Sequence, residues 1–256
     1  MFKKITIDGL QVHIYNQDAF KKIQSASNLT KATLEYIKDF IKPGISTNEI
    51  DKLCHEYIIK HGGIPAPLNY QGFPKSICTS INHEVCHGIP SERILCNGDI
   101  INVDVTVILD GFYGDSSITF AVGDISVKAQ RLLQCTKECL DLSIEALKPG
   151  VPINTIGSII EEHANKYKFT VVEEFCGHGI GSEFHQSPNI LHFKNNEYTF
   201  ELLPGMVFTI EPMINGGKKH TKLLSNQWTA VTRDRSLSAQ FEHTIGITET
   251  GYIIFT

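Results

Sequence analysis

INVDVTVILDGFYGD, Ile101 to Asp115, is the stretch whose reading decides the fold. β-Branched residues dominate it, and Ile101, Val103, Val105 and Val107 alternate with Asn102, Asp104, Thr106 and Ile108 at the period of a strand. Asp110-Gly111 is a two-residue hairpin signal, because glycine accepts the positive φ that such a turn requires. With those two residues as the turn, Asp104 stands opposite Ser117 and Thr106 opposite Asp115. The two aspartates then share a face, one diagonal step apart, at roughly 7–8 Å between backbones. Carboxylates held that way repel unless a cation sits between them or one takes a proton. A bulge would change the register, so the pairing depends on an uninterrupted hairpin.

Outward from the hairpin the chain repeats itself. Lys42-Pro43-Gly44-Ile45 returns as Lys148-Pro149-Gly150-Val151, followed by matched pairs Asn48 and Asn154, Ile50 and Ile156, Glu56 and Glu162, Lys60 and Lys166. One residue further in offset, Gly98 matches Gly205 and Asp104 matches Glu211. A Lys-Pro-Gly helix stop used twice would not sustain such matches, so they indicate duplication of a helix–helix–strand unit. Helical spacing predicts helices over residues 17–41, capped by Asn16, and about 47–61, opened by a Ser46/Glu49 capping box. A third is expected over about 126–147. Strands are expected over residues 75–82, 99–108, 206–214, 227–232, 240–248 and 252–256, with Glu242 and His243 in the middle of one. Residues 65–74 and 82–90 should be loops, the first with Tyr70 and Phe73, the second with His83, Cys86 and His87.

Bulk properties narrow the class. The 256 residues are 41% hydrophobic and 20% charged, ordinary for a soluble globular protein that can bury a sizeable core. A net charge of -5 gives no reason to expect DNA or an anionic membrane as partner. No apolar run has the length of a membrane span or a signal peptide. Seven scattered cysteines read as reduced thiols in a cytoplasmic protein, and Cys135 and Cys139 have no second pair at zinc spacing. No linker interrupts the chain. Residues 1–256 read as a single catalytic domain with halves of about 16–122 and 123–256.

Polar groups remain where strand or tight-loop residues should be apolar: Asp104, Asp115, His178, Glu211 and Glu242, with His87 and His185 beside them. A charge buried on a strand costs several kcal/mol unless paired. Four acids with no matching Arg or Lys on the same strands need another partner, and a pair of divalent cations is the economical one. Oxygen-rich ligands with one imidazole suit manganese, iron(II), cobalt or zinc. Gly177-His178-Gly179-Ile180-Gly181 has the wrong spacing for a phosphate loop; its glycines let the backbone pass close to a site. Cys86 and His87 are neighbours whose side chains point apart, a poor geometry for a thiol nucleophile.

Six motifs together resemble the type I, bacterial-like methionine aminopeptidases. They are Asn82-His83-Glu84-Val85-Cys86-His87-Gly88-Ile89-Pro90, the Asp104/Asp115 hairpin, residues 177–181, Phe184-His185, Thr209-Ile210-Glu211-Pro212-Met213 and Gln240-Phe241-Glu242-His243-Thr244. The resemblance runs from about residue 10 onward. It implies an α+β, pita-bread fold: a pseudo-two-fold, antiparallel curved sheet with helices on its outer face. It implies two divalent metal ions, one held by Asp104 and Asp115, the second by Asp115, His178 and Glu211, with Glu242 bridging both. Hydroxide bridging the two would attack the scissile carbonyl. His185 would polarise that carbonyl, His87 would hydrogen-bond the scissile amide, and Glu211 would shuttle a proton. Tyr70, Phe73, Cys78, Phe184 and Trp228 would wall the methionine pocket, with Pro67 where some bacterial members carry cysteine.

The implied activity is removal of initiator methionine from nascent polypeptide N-termini when the second residue is small, after deformylation. A monomer is expected, and action on nascent chains implies contact with the ribosome surface, though no basic stripe in the sequence shows it. An X-Pro peptidase of the same fold would carry a longer N-terminal domain. A non-catalytic pita-bread domain would lack metal ligands, and all five are present.

Overall fold

The computed structural model describes all 256 residues, Met1–Thr256. Four helices organise it: α1 (Gln17–Lys38), α2 (Thr47–Lys60), α3 (Val127–Glu145) and α4 (Asn154–Lys166). Local chemistry sets three of their starts. The Asn16 side chain accepts from the Ala19 amide, Ser126 accepts from Ala129, and Ser46 and Glu49 form a reciprocal capping box. Helix α1 ends at Lys38, short of Ile41, and the chain turns before Gly44, whose φ is 99°.

The hairpin forms as strands Ile100–Leu109 and Phe112–Ala121, fully paired, with Asp104 opposite Ser117 and Thr106 opposite Asp115. Asp110 and Gly111 turn it with φ of 51° and 77°. Strand Cys78–Ile81 adds to its other edge, placing Cys78 beside Asp104. Val103, Val105 and Val107 point to the side covered by α1 and α2, where they pack with Leu34, Ile37, Ile50 and Ile58. Strand alternation therefore sends Asp104 and Thr106 to the opposite face.

The second half builds the complementary wall. Strand Val207–Ile210 pairs with His243–Ile247 and Gly177–Gly179, and strand Met213–Asn215 pairs with Ser238–Gln240 and Thr170–Val171, all antiparallel. Helices α3 and α4 cover it: Leu132, Leu140, Ile156 and Ile160 pack with Phe208, Ile210, Ile214 and Ile245. The result is the expected α+β pita-bread arrangement, helices outside and the polar faces of both halves turned toward each other.

Several boundaries differ from expectation. Strand pairing begins at Cys78, not Lys75, because the Asp51 carboxylate on α2 accepts from the amides of Ser76 and Ile77 at 2.8 and 3.2 Å. Residues Glu84–Cys86 form a strand inside the expected loop, paired with Ala230–Thr232. The expected 206–214 strand is broken at Glu211-Pro212, since proline has no amide to donate. The 240–248 strand breaks at Phe241-Glu242. These interruptions face each other, flanked by the pairs Ile210–His243 and Met213–Gln240. Glu211 and Glu242 therefore sit in a gap in the sheet, not in the middle of strands. Strand Thr221–Leu223 and the N-terminal hairpin Phe2–Ile7/Leu10–Tyr15 were not anticipated.

Candidate metal centre

Hydroxyl groups stitch the two halves together beneath the acids. The Asp115 carboxylate accepts from Thr106 at 2.8 Å, its amide donates to the Thr244 hydroxyl at 3.1 Å, and that hydroxyl donates to the Asp115 carbonyl at 2.8 Å. Ser116 donates to the Glu242 carbonyl and Thr119 to the Gln240 carbonyl, both at 2.6 Å. The hairpin bearing both aspartates is thus tied to the break bearing Glu242. His178 is set between two glycines because nothing larger fits. A Cβ at Gly177 would lie 2.4 Å from the Thr209 carbonyl, and one at Gly179 2.3 Å from that of Ser187. The His178 amide donates to the Thr209 hydroxyl at 3.0 Å, which donates to one Glu211 oxygen at 2.8 Å. Gln240 donates to the other Glu211 oxygen at 3.1 Å.

The five predicted ligands converge. Donor atoms of Asp115, His178 and Glu242 lie within 4.8 Å of one another. His178 Nε2 stands 3.7 Å from both Asp115 Oδ2 and Glu211 Oε1. Asp104 lines the same cavity of about 550 Å³. Burial of Asp115, Glu211 and Glu242 is at least 91%, their exposures being 4%, 9% and 2%.

Electrostatics test whether a cation fits. No lysine or arginine lines the cavity. Desolvation lifts Asp104 to about 7 and, aided by the charge of Asp104, Glu211 to about 8. Burial plus the neighbouring acids push Asp115 and Glu242 well above the usual carboxylate range. Burial, with His185 nearby, lowers His178 to about 3, so its imidazole is neutral. Its Nδ1 faces the Gly179 carbonyl at 3.1 Å, and a carbonyl only accepts, so the proton belongs on Nδ1. The Nε2 lone pair then faces the carboxyl groups of Asp115 and Glu211, each at 3.7 Å. Lone pairs converging in a buried pocket without lysine or arginine fit a divalent cation, and an oxygen-rich set with one imidazole is its ordinary ligand chemistry.

Every other predicted site residue lines this same cavity: His87, His185, Tyr70, Phe73, Cys78, Phe184 and Trp228, with Pro67 alongside. Phe73 meets Trp228 edge-on at 5.1 Å, and Tyr70 lies 4.8 Å from Phe184, forming an apolar wall. His185 stacks on Phe184, and its Nδ1 lies 3.0 Å from the Tyr70 hydroxyl. Burial and the charge of His87 lower His185 to about 4, and burial lowers His87 as well, so both imidazoles are neutral. Cys86 and Cys176 carry raised thiol pKa values through burial, so neither offers a thiolate. Sequence reasoning placed Thr209, Gln240 and Thr244 in motifs but gave them no role, and missed His192. Thr106 was placed by the register but given no role. Thr209 stands two residues from Glu211, Gln240 and His192 reach Glu211 from other segments of the second half, and Thr244 crosses to Asp115 in the first; the last three proximities have no local spacing to encode them.

Known proteins resemble this chain closely. A model described as "Metallopeptidase family M24" matches residues 21–249. The methionine aminopeptidase of Rickettsia prowazekii is 50% identical over 248 residues, 96% of each chain. That of Escherichia coli K12 is 45% identical over 249 residues, covering 96% of this chain and 94% of the other. The crystal structure of the R. prowazekii enzyme superposes with a TM-score of 0.94 at 51% identity, covering 96% of this chain and 99% of that one. A prolidase from Pyrococcus furiosus shares the fold at a TM-score of 0.76 and 22% identity, with this chain covering 65% of its length.

Proposed function

This chain belongs to the methionine aminopeptidases of metallopeptidase family M24, metal-dependent enzymes that remove initiator methionine, and we propose which of its residues carry that reaction. Asp104, Asp115 and Glu242 would hold one divalent ion, and Asp115, His178, Glu211 and Glu242 a second. The observation that carries this reading is the approach of His178 Nε2 to Asp115 and Glu211, 3.7 Å from each, in a cavity without lysine or arginine. Manganese, iron(II), cobalt and zinc all suit the donor set. Such a pair, when bound, supplies Lewis acidity and a water made nucleophilic near neutral pH, with a pKa of ~7.

The protein's own groups do the rest. Phe73, Trp228, Tyr70, Phe184 and Cys78 take the methionine side chain and keep water from it. The acidic cluster beside that pocket receives a free α-amino group, which confines cleavage to the first residue; a formyl group removes the basic lone pair. With the Tyr70 hydroxyl donating to Nδ1, neutral His185 carries its proton on Nε2 and donates to the scissile carbonyl oxygen. His87, held at a φ of 55° against Phe175 and Trp228, hydrogen-bonds the scissile amide. Glu211, steadied by Thr209 and Gln240, moves the proton to the leaving amine.

We read the 1–256 chain as one catalytic domain of two related halves, acting as a cytoplasmic monomer on nascent chains. No helix is long and apolar enough to cross a membrane. Ribosome contact follows from that substrate, with neither DNA nor membrane as partner. The test is release of methionine from Met-Ala-Ser, Met-Phe-Ser and formyl-Met-Ala-Ser by metal-loaded protein. Cleavage of Met-Ala-Ser alone is expected; equal cleavage of the formylated peptide would contradict the role given to the free amine.

A further inference from the structure

We infer that His192 is a positioning residue, fixing the backbone of Glu211 and through it the second metal site. This rests on reading Glu211 as a metal ligand. The Glu211-Pro212 break leaves the Glu211 amide without a strand partner. His192, fully buried at 0% exposure, supplies one: the amide donates to His192 Nε2 at 3.2 Å. A backbone amide only donates, so Nε2 must present a lone pair and the proton must sit on Nδ1. That Nδ1 has no hydrogen-bond partner. The imidazole thus leaves one buried N–H unpaired while holding the Glu211 amide, and the Glu211 carboxylate is held separately by Thr209 and Gln240.

A second observation shows how the ring is aimed. Helix α4 grips the loop that carries it with one face, at helical spacing. Asn154 donates to the Asn195 carbonyl at 2.9 Å, and the Lys194 amide donates to Glu161 at 2.9 Å. Between them, Gly157 lets the loop backbone touch the helix: a Cβ there would lie 2.3 Å from the Phe193 carbonyl and 2.6 Å from that of Leu191. Both carbonyls flank His192. The line therefore runs from the outer helix through the loop and the imidazole to the amide of Glu211. In the first half, Asp51 of α2 holds the amides of Ser76 and Ile77 just before Cys78, the neighbour of Asp104.

The test begins with 15N NMR of the wild-type protein, stripped of metal and labelled at histidine. The His192 ring should be neutral and protonated on Nδ1; protonation on Nε2, or an imidazolium, would overturn the assignment without any variant. Calorimetric titration with Mn2+ follows. His192→Leu should weaken binding by ~10–100-fold, the usual cost of losing such a supporting contact. It should lower kcat for Met-Ala-Ser while KM stays near wild type. His192→Gln, whose side-chain oxygen can accept from the same amide, should recover most of the loss. Gly157→Ala, outside the cavity, should weaken Mn2+ binding in the same direction. Wild-type affinity in His192→Leu, or equal loss in the Leu and Gln variants, would defeat the proposal. Glu211→Gln separates the two readings. If it too binds Mn2+ like wild type, the ligand assignment of Glu211 has failed; if it alone loses affinity, only the role of His192 has.

Discussion

Stripping the metal should make the stability of this protein fall as pH rises, the reverse of ordinary acid denaturation. Asp104 is held up to about 7 from an ordinary 3.8, and Glu211 up to about 8 from 4.5, both chiefly by desolvation. Between roughly pH 4 and 8 the folded protein keeps protons that the unfolded chain has released. Stability therefore declines through that window as proton uptake by the folded state becomes costly, and the loss is complete above the folded values. At ~1.4 kcal/mol per tenfold change in proton affinity, either group alone amounts to about 4–5 kcal/mol. The acids share one cluster, so their costs are not additive, and the sum is on the order of 4–8 kcal/mol against a typical total of 5–15 kcal/mol. Urea unfolding with a chelator at pH 5.5, 7 and 8.5 reads this directly. The midpoint should drop steadily, and saturating Mn2+ at pH 8.5 should restore it by ~3 kcal/mol or more at a hundredfold excess over Kd. A metal-free midpoint that is flat or rises from pH 5.5 to 8.5 would refute the reasoning, because it would mean that the four acids are not crowded into one low-dielectric site.

Glu242→Gln removes one of those charges at nearly constant shape. It should raise metal-free stability at pH 8.5 while weakening Mn2+ binding and lowering kcat by ~100-fold or more, checked by the same unfolding series and by calorimetry. Phe73→Ala removes a ring that is 2% exposed and packed on Trp228; a cost of about 3–5 kcal/mol and a raised KM for Met-Ala-Ser are expected, measured by denaturation and kinetics. Gly179→Ala drives a Cβ to 2.3 Å from the Ser187 carbonyl and should displace His178, read as lost Mn2+ affinity in a folded protein by calorimetry and circular dichroism. Ser46→Ala breaks the capping box of α2 and should cost ~1 kcal/mol with kcat unchanged, seen in urea midpoints.

The amino-acid sequence announced the hairpin because its pattern is local: alternating β-branched residues and an Asp-Gly turn fix the register, and the register fixes which face Asp104 and Asp115 share. Helix starts were legible at Asn16, Ser46 and Ser126 for the same reason. The gap holding Glu211 and Glu242 was not. Pro212 hinted at one break, but the matching break at Phe241-Glu242 is imposed by the partner strand, a long-range effect without a local signature. The same holds for Thr244, which reaches Asp115 across the two halves, for Gln240, which reaches Glu211 from a strand 29 residues on, and for His192, which reads as an apolar-loop histidine until the Glu211 amide is seen to need a partner. Strand starts slipped where side chains capture backbone amides, as Asp51 does at Ser76 and Ile77.

Anomalous diffraction from crystals loaded with Mn2+, recorded at the manganese edge, asks the question outright. Two peaks should appear inside the cavity, one against Asp104 and Asp115, the other against Asp115, His178 and Glu211, with Glu242 touching both. Absence of any peak among these five side chains, in protein that releases methionine from Met-Ala-Ser, would contradict the assignment.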